Sequence, residues 1–134
     1  MDEEEGQKDS NFMSRQLKEW LDDGDYAKSL KFSQSKMSKG QRTSMFYAVI
    51  TSYCLMKVGK EQECKDVLND YKTMKPTDTT TCKYMVAIYN NLGSYNQATQ
   101  LLEYILNLFP NKKDLQEQLF YSYVREGMLL KQQN

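Results

Sequence analysis

A chain of 134 residues is one domain's worth, and 40% apolar with 27% charged residues fits a helical array whose flanks are wet. Lysines and arginines number 18 against 18 aspartates and glutamates, so no global basic field draws in nucleic-acid backbones or anionic membranes. There is no histidine, and Cys54, Cys64 and Cys82 lack C-x-x-C spacing; a metal site has no usual ligand set, and the thiols read as reduced intracellular ones.

The chain opens on Met1-Asp2-Glu3-Glu4-Glu5-Gly6, acidic where a secretory signal would be basic and then apolar. Residues 1–9 have little to bury and read as an acidic solvated tail. No apolar run approaches the ~20 residues a membrane span needs, which makes the cytoplasm the expected compartment. From residue 10 the spacing predicts helices near 10–23, 25–38, 43–58, 60–74, 78–92, 94–108 and 112–126, with an eighth beginning about 128. No stretch alternates convincingly with period two, so the expected fold class is all-α.

The punctuation between these helices is periodic. Gly59, Gly93 and Gly127 stand 34 residues apart, Pro76 and Pro110 repeat the same interval, and Gly24 precedes Gly59 by 35. That is the length of a tetratricopeptide helix-turn-helix unit, and such units stack into an α-solenoid of antiparallel helix pairs that holds other proteins.

Fixed offsets from the glycines then predict packing. Four residues before each turn stand Trp20, Leu55, Tyr89 and Tyr123, all expected in the core. Five after it stand Ser29, Cys64 and Ala98, small where the second helix presses on the first. Leu68 and Leu102, then Tyr71 and Ile105, supply the second helices with an apolar stripe. Pro76 and Pro110 stop helices ending near Met74 and Leu108, and Thr77 or Asp78, then Asn111, offer caps for the helices that follow. The first unit carries Ser33 and Lys36 in place of the later apolar pair and reads as a frayed end unit with a more polar outer surface.

After Gly127 come only Met128 to Asn134, with Gln132 in the small-residue slot. Residues 10–134 therefore read as about three and a half helix pairs of a longer solenoid. In that reading Leu119, Phe120 and Tyr123 are partly unpaired at an open end, and exposed apolar surface there would favour self-association.

A closer resemblance lies in the words between these slots: Leu21-Asp22-Asp23-Gly24, Gly59-Lys60-Glu61-Gln62-Glu63, Lys75-Pro76-Thr77-Asp78, Phe109-Pro110-Asn111, and Leu119-Phe120 followed by Tyr123, Arg125 and Gly127. From about Arg15 onward the chain resembles the N-terminal part of the auxiliary subunit of the NatB N-terminal acetyltransferase. It departs from it in the one-residue insertion of the first unit and in its early stop. The resemblance implies a non-catalytic scaffold in a cytoplasmic, ribosome-associated complex that acetylates nascent chains beginning with methionine followed by an acidic or amide residue. It implies as partners a separate catalytic subunit, which would hold the acetyl-CoA, and the ribosome; no cofactor and no small-molecule substrate are implied for this chain.

In a tetratricopeptide array the first helices of successive units line the concave groove. By the turn offsets that groove includes Phe46, Val49, Tyr53 and Met56, then Lys83 and Asn90, then Tyr121 and Arg125, with Asn91, Glu117 and Val124 beside them. Aromatic and methionine side chains suit adaptable binding to a partner helix. Phe46, Val49 and Tyr53 equally fit packing on neighbouring repeats, since period alone does not separate the two faces.

Other uses of such an array fit less well. A chaperone-type carboxylate clamp needs several cations, whereas the corresponding places carry Val49, Tyr53, Glu117 and Tyr121, with Lys83 the lone cation. An RNA-reading repeat would be basic and slightly longer. Catalysis lacks a histidine, a Ser or Cys with a base at recognisable spacing, and a clear carboxylate pair. Lys36, Lys39 and Arg42 form a small basic cluster that could touch a ribosome. A generic tetratricopeptide adaptor, co-chaperone-like and unrelated to acetylation, is the alternative reading.

Overall fold

The computed structural model describes residues 13–38 and 45–133. Seven helices make up the described residues, with no strand among them: α1 (Arg15–Asp22), α2 (Tyr26–Ser38), α3 (Met45–Lys57), α4 (Glu61–Asn69), α5 (Thr79–Asn91), α6 (Tyr95–Leu108) and α7 (Lys113–Gln133). The expected acidic tail lies outside the described residues, as do Lys39 and Arg42 of the basic cluster.

The first three turns are one structure made three times. Gly24, Gly59 and Gly93 have φ of 78°, 88° and 80°, the left-handed region where only a residue without Cβ sits at little cost. The residue after each glycine returns its N–H to the carbonyl of the expected core position: Asp25 to Trp20, Lys60 to Leu55 and Ser94 to Tyr89, each at 2.8 Å. Each glycine N–H reaches Leu21, Met56 or Asn90. This paired closure is a Schellman motif; it satisfies carbonyls a helix end leaves open. The same post-glycine residue then starts the next helix, its carbonyl accepting from Ser29, Cys64 or Ala98.

The fourth glycine behaves differently. Gly127 lies inside α7, a continuous helix of 21 residues, so the expected turn and eighth helix are not formed. The sequence around it accounts for this. Met, Leu, Lys and Gln after it are good helix formers. The small residue that lets a second helix fold back is replaced by Gln132. A glycine permits a turn, but the packing of a returning helix is what selects it.

Packing follows the small-residue slots: Ser29, Cys64 and Ala98 are fully buried. Around them sits one core of α3 to α6 residues, including Leu55, Leu68, Met85, Ile88, Tyr89, Leu102 and Ile105, joined by Leu115 of α7. A second cluster joins Leu17 and Leu21 of α1 to Phe46, Ile50 and Cys54 of α3. Buried hydroxyls find carbonyls, as Ser33 Oγ donates to the Ser29 carbonyl within α2 at 2.9 Å and Ser52 Oγ of α3 to that of Cys64 on α4 at 3.0 Å. Ser33 is thus a buried, satisfied position of α2, and the first unit, expected to be a frayed polar end, is a formed helix pair.

Three boundaries shift from expectation. Helix α1 opens at Arg15 rather than near residue 10, because Ser14 caps it, its hydroxyl accepting from Leu17 N at 3.1 Å. Helix α4 ends at Asn69, and the chain continues to Met74 in tighter turns, with Asp70, Tyr71, Lys72 and Met74 each bonding three residues back; Asn and Asp are weak helix formers there. Pro76 is buried, and Asp78 is the cap that matters: its carboxylate accepts from Thr81 N at 2.8 Å and from the Thr81 hydroxyl. Helix α7 opens at Lys113, which puts its cap at Lys112 rather than Asn111. Of the four expected core positions Leu55 and Tyr89 are buried and Trp20 is half-buried, while Tyr123 is 49% exposed on α7 and donates its hydroxyl to Glu103.

Candidate functional site

The odd-numbered helices share one side of the array. Helix α3 packs directly on α5. Together with α1 they form a half-open pocket of about 350 Å³, lined by Met13, Lys18, Tyr53, Thr80, Lys83, Tyr84 and Ala87. On α5 the lining residues Thr80, Lys83, Tyr84 and Ala87 fall at i, i+3, i+4 and i+7, one face of the helix. Thr80 and Ala87 are short, and between them Tyr84 forms a wall.

Aromatic edges build the floor. Tyr53 and Tyr84 meet edge to face with centroids 4.8 Å apart, and Tyr26 approaches Tyr53 in the same manner at 6.1 Å. The Lys57 ammonium lies 5.4 Å from the Tyr53 ring centre. Burial, then the neighbouring Tyr26 and Tyr84 hydroxyls, push the Tyr53 phenol up to about 12. Tyr84 is raised for the same first reason, with Asp22 adding to it. These phenols are neutral packing groups at physiological pH.

Helix α7 joins this face by polar side chains rather than by close backbone packing, which it makes with α6. Lys83 Nζ and Asp114 Oδ2 are 2.8 Å apart, and Arg125 Nη1 donates to Asn90 Oδ1 at 3.0 Å while its guanidinium covers the Tyr95 ring. The Lys83 hydrogen bond holds the Asp114 carboxyl below the usual range. Thr99 ties α6 to Glu126 at 2.8 Å.

Of the eleven groove residues expected from the turn offsets, Asn91, Glu117 and Val124 are exposed on α5 and α7, and the other eight divide into three groups. Phe46 and Val49 are 4% and 1% exposed and belong to the core; the period left that choice open and the packing of α3 made it. Tyr53 and Lys83 line the pocket, with Met56 half-buried beside the α3 to α5 core. Asn90 and Arg125 form the α5 to α7 tie, and Tyr121 is 57% exposed on α7 with Phe120 against it. Met13, Lys18, Thr80, Tyr84 and Ala87 were not expected in the groove. The i, i+3, i+4, i+7 set on α5 was the available signal, but only the α1 and α3 contacts show which face of α5 it lines.

No group of three or more metal-ligating side chains occurs among the described residues. Cys54, Cys64 and Cys82 are free and buried, and burial raises all three thiols, Cys54 and Cys82 to about 12, which leaves them protonated and poor nucleophiles. No described helix is long and apolar enough to cross a membrane.

A family model described as "Psidin, N-terminal TPR repeats region" matches residues 14–134. The human "N-alpha-acetyltransferase 25, NatB auxiliary subunit" is 23% identical over 119 residues, 89% of this chain and 12% of that protein, and the mouse protein of the same description matches equally. The "Phagocyte signaling-impaired protein" of Drosophila pseudoobscura pseudoobscura is 27% identical over 106 residues, 78% of this chain and 11% of its own length. This chain thus spans about an eighth of these relatives. No solved structure matches at the same level of significance. Helix pairs of tetratricopeptide length, closed by a repeated glycine turn, agree with the family match along nearly the whole chain: it belongs to the Psidin N-terminal tetratricopeptide-repeat region family.

Proposed function

We propose that this array is a non-catalytic scaffold segment of a NatB-type N-terminal acetyltransferase complex, acting where its longer relatives carry the same region. The observation that supports it is the pocket between α1, α3 and α5, lined by aromatic and amphipathic side chains, with α7 tied to α5 by the Arg125–Asn90 bond beside it. The human and mouse relatives, described as NatB auxiliary subunits, point to an acetyltransferase catalytic subunit as the protein held there, with co-translational acetylation in the cytoplasm, close to the ribosome, as the process served. Of the expected groove residues Tyr53, Met56, Lys83, Asn90, Tyr121 and Arg125 remain the ones we assign to partner binding.

Coexpression with a NatB-type catalytic subunit tests this reading. A stable complex should coelute, and replacing Tyr121 by alanine together with Arg125→Glu should weaken it while the helical circular dichroism stays unchanged. Coelution with unrelated partners only would return the chain to the generic adaptor class.

A further inference from the structure

Apolar surface collects on helix α7. Five of the eight large apolar side chains exposed among the described residues belong to it: Phe120, Tyr121, Tyr123, Val124 and Met128. Its inner face is Leu115, Leu119 and Ser122, and Val124, about two and a half turns after Leu115, lies on the opposite side. Phe120 and Met128 flank Val124 one turn to each side. The same line runs on to Glu117 and to position 131, a lysine, seven residues before and after Val124. Gly127 makes a notch beside Met128, because a Cβ there would meet nothing within 4 Å.

This stripe is complementary to itself run in reverse. When a second copy is turned end for end about a two-fold axis beside Val124, residues equally far before and after Val124 come level with each other. Val124 then meets Val124 of the second copy, Phe120 covers its Gly127 notch, Tyr121 lies along its Met128, and Glu117 faces its Lys131. The neighbouring register that pairs Phe120 with Val124 would set Lys113 against Lys131, like charge on like. With 18 positive and 18 negative residues the chain has no net charge to hold two copies apart. The exposed parts of Phe120, Tyr121, Val124 and Met128 come to roughly 400 Å² per copy, which suits a weak, concentration-dependent pair.

We propose that the outer face of α7 pairs antiparallel with the same face of a second copy about a two-fold axis at Val124. Apolar contacts supply the attraction, and the two Glu117–Lys131 pairs fix direction and register. This goes beyond the scaffold reading and does not rest on it, although Tyr121 serves both, so a partner bound there and a second copy exclude each other.

Sedimentation equilibrium of the full chain is the test. A monomer–dimer equilibrium in the micromolar range is expected, and Val124→Glu should weaken it at least about tenfold. Gly127→Leu, which fills the notch while favouring helix, should weaken it as much with helical circular dichroism kept or increased. Glu117→Lys should weaken it severalfold, and adding Lys131→Glu should restore it. Thiols read the register: Val124→Cys sets two cysteines opposite each other and should form an intermolecular disulfide with copper-phenanthroline. Glu117→Cys, on the same line but about 20 Å from its copy, should not. The native cysteines are buried. A monomer at every concentration up to about 1 mM, a dimer indifferent to Val124→Glu and Gly127→Leu, or equal cross-linking from both positions overturns the proposal. So does a chain that never dimerises but loses the catalytic subunit on Val124→Glu, which would give the face to that partner. A dimer that behaves as expected while the catalytic subunit fails to coelute sinks the scaffold reading alone.

Discussion

Helices α3 to α6 and helix α7 are built from the same repeat, yet they are held in different ways. In the middle helices the apolar stripe of each element meets another, so Ile88, Ile105 and Leu102 are sealed from water. Helix α7 buries Leu115 and Ser122 and packs Leu119 inward, but turns Phe120, Tyr121, Val124 and Met128 outward, Phe120 at 61% exposure. Its attachment to α5 is a lysine-carboxylate pair and an arginine-asparagine bond. A dry seam holds a fixed angle between helices, because displacing one opens voids. A seam of long polar side chains costs little to rearrange, so the position of α7 is set by its packing on α6 and by buried Leu115 rather than by these two ties to α5.

Alkali should break the middle helices hardest. Their cysteines and Tyr53, Tyr84 and Tyr89 are all raised by burial. A group whose folded pKa is raised contributes stability that is whole below its unfolded value and disappears as pH climbs through the folded one. Stability should therefore fall from about pH 9, the ordinary thiol value, to about pH 12, where Cys54 and Cys82 titrate. At about 1.4 kcal/mol per unit the loss is on the order of several kcal/mol. Urea melts across this range check it, and native thiols should resist alkylation at pH 8.

Truncation should then separate the regions. Leu102→Ala opens a cavity in the sealed core and should cost about 2–5 kcal/mol, whereas Phe120→Ala on the outer face of α7 should stay within about 0.5 kcal/mol. Chemical denaturation of both variants measures the difference; equal losses would mean that the α7 face is covered in solution.

Smaller effects sharpen the contrast. Asp78→Ala removes the cap of α5 and should cost about 0.5–2 kcal/mol. The glycines should respond with opposite sign. At Gly93 a Cβ meets nothing within 4 Å, but the positive φ makes alanine unfavourable by about 1 kcal/mol, while Gly127→Ala in a helix interior should stabilise by about 0.5–1 kcal/mol. A destabilising Gly127→Ala would restore the turn that the period suggests. A small effect also belongs to Lys83→Ala, at most about 1 kcal/mol for so exposed a pair. Because Lys83 depresses the Asp114 carboxyl, that contribution is present above the ordinary aspartate range and lost as pH falls through the lowered value.

Much of the fold was legible in the sequence because its signals are local. A left-handed turn demands glycine, and close helix approach demands Ser29, Cys64 and Ala98, so periodic placement of these residues marked six of the helices. The groove was less legible. Helical period assigns residues to faces but does not say which face meets a neighbour, so Phe46 and Val49 were open between core and surface, and Lys18 and Met13, far from Tyr84 in sequence, gave no sign of sharing its pocket.

What the amino-acid sequence determined by itself was the unit: its length, its three glycine closures and its small contact residues, all governed by backbone sterics within a few residues. Only the tertiary structure decided that Gly127 stays helical, that Tyr123 faces water, and that α1, α3 and α5 close a pocket between two lysines. Those outcomes depend on which surfaces are present to pack against, and burial is a property of neighbours rather than of the residue.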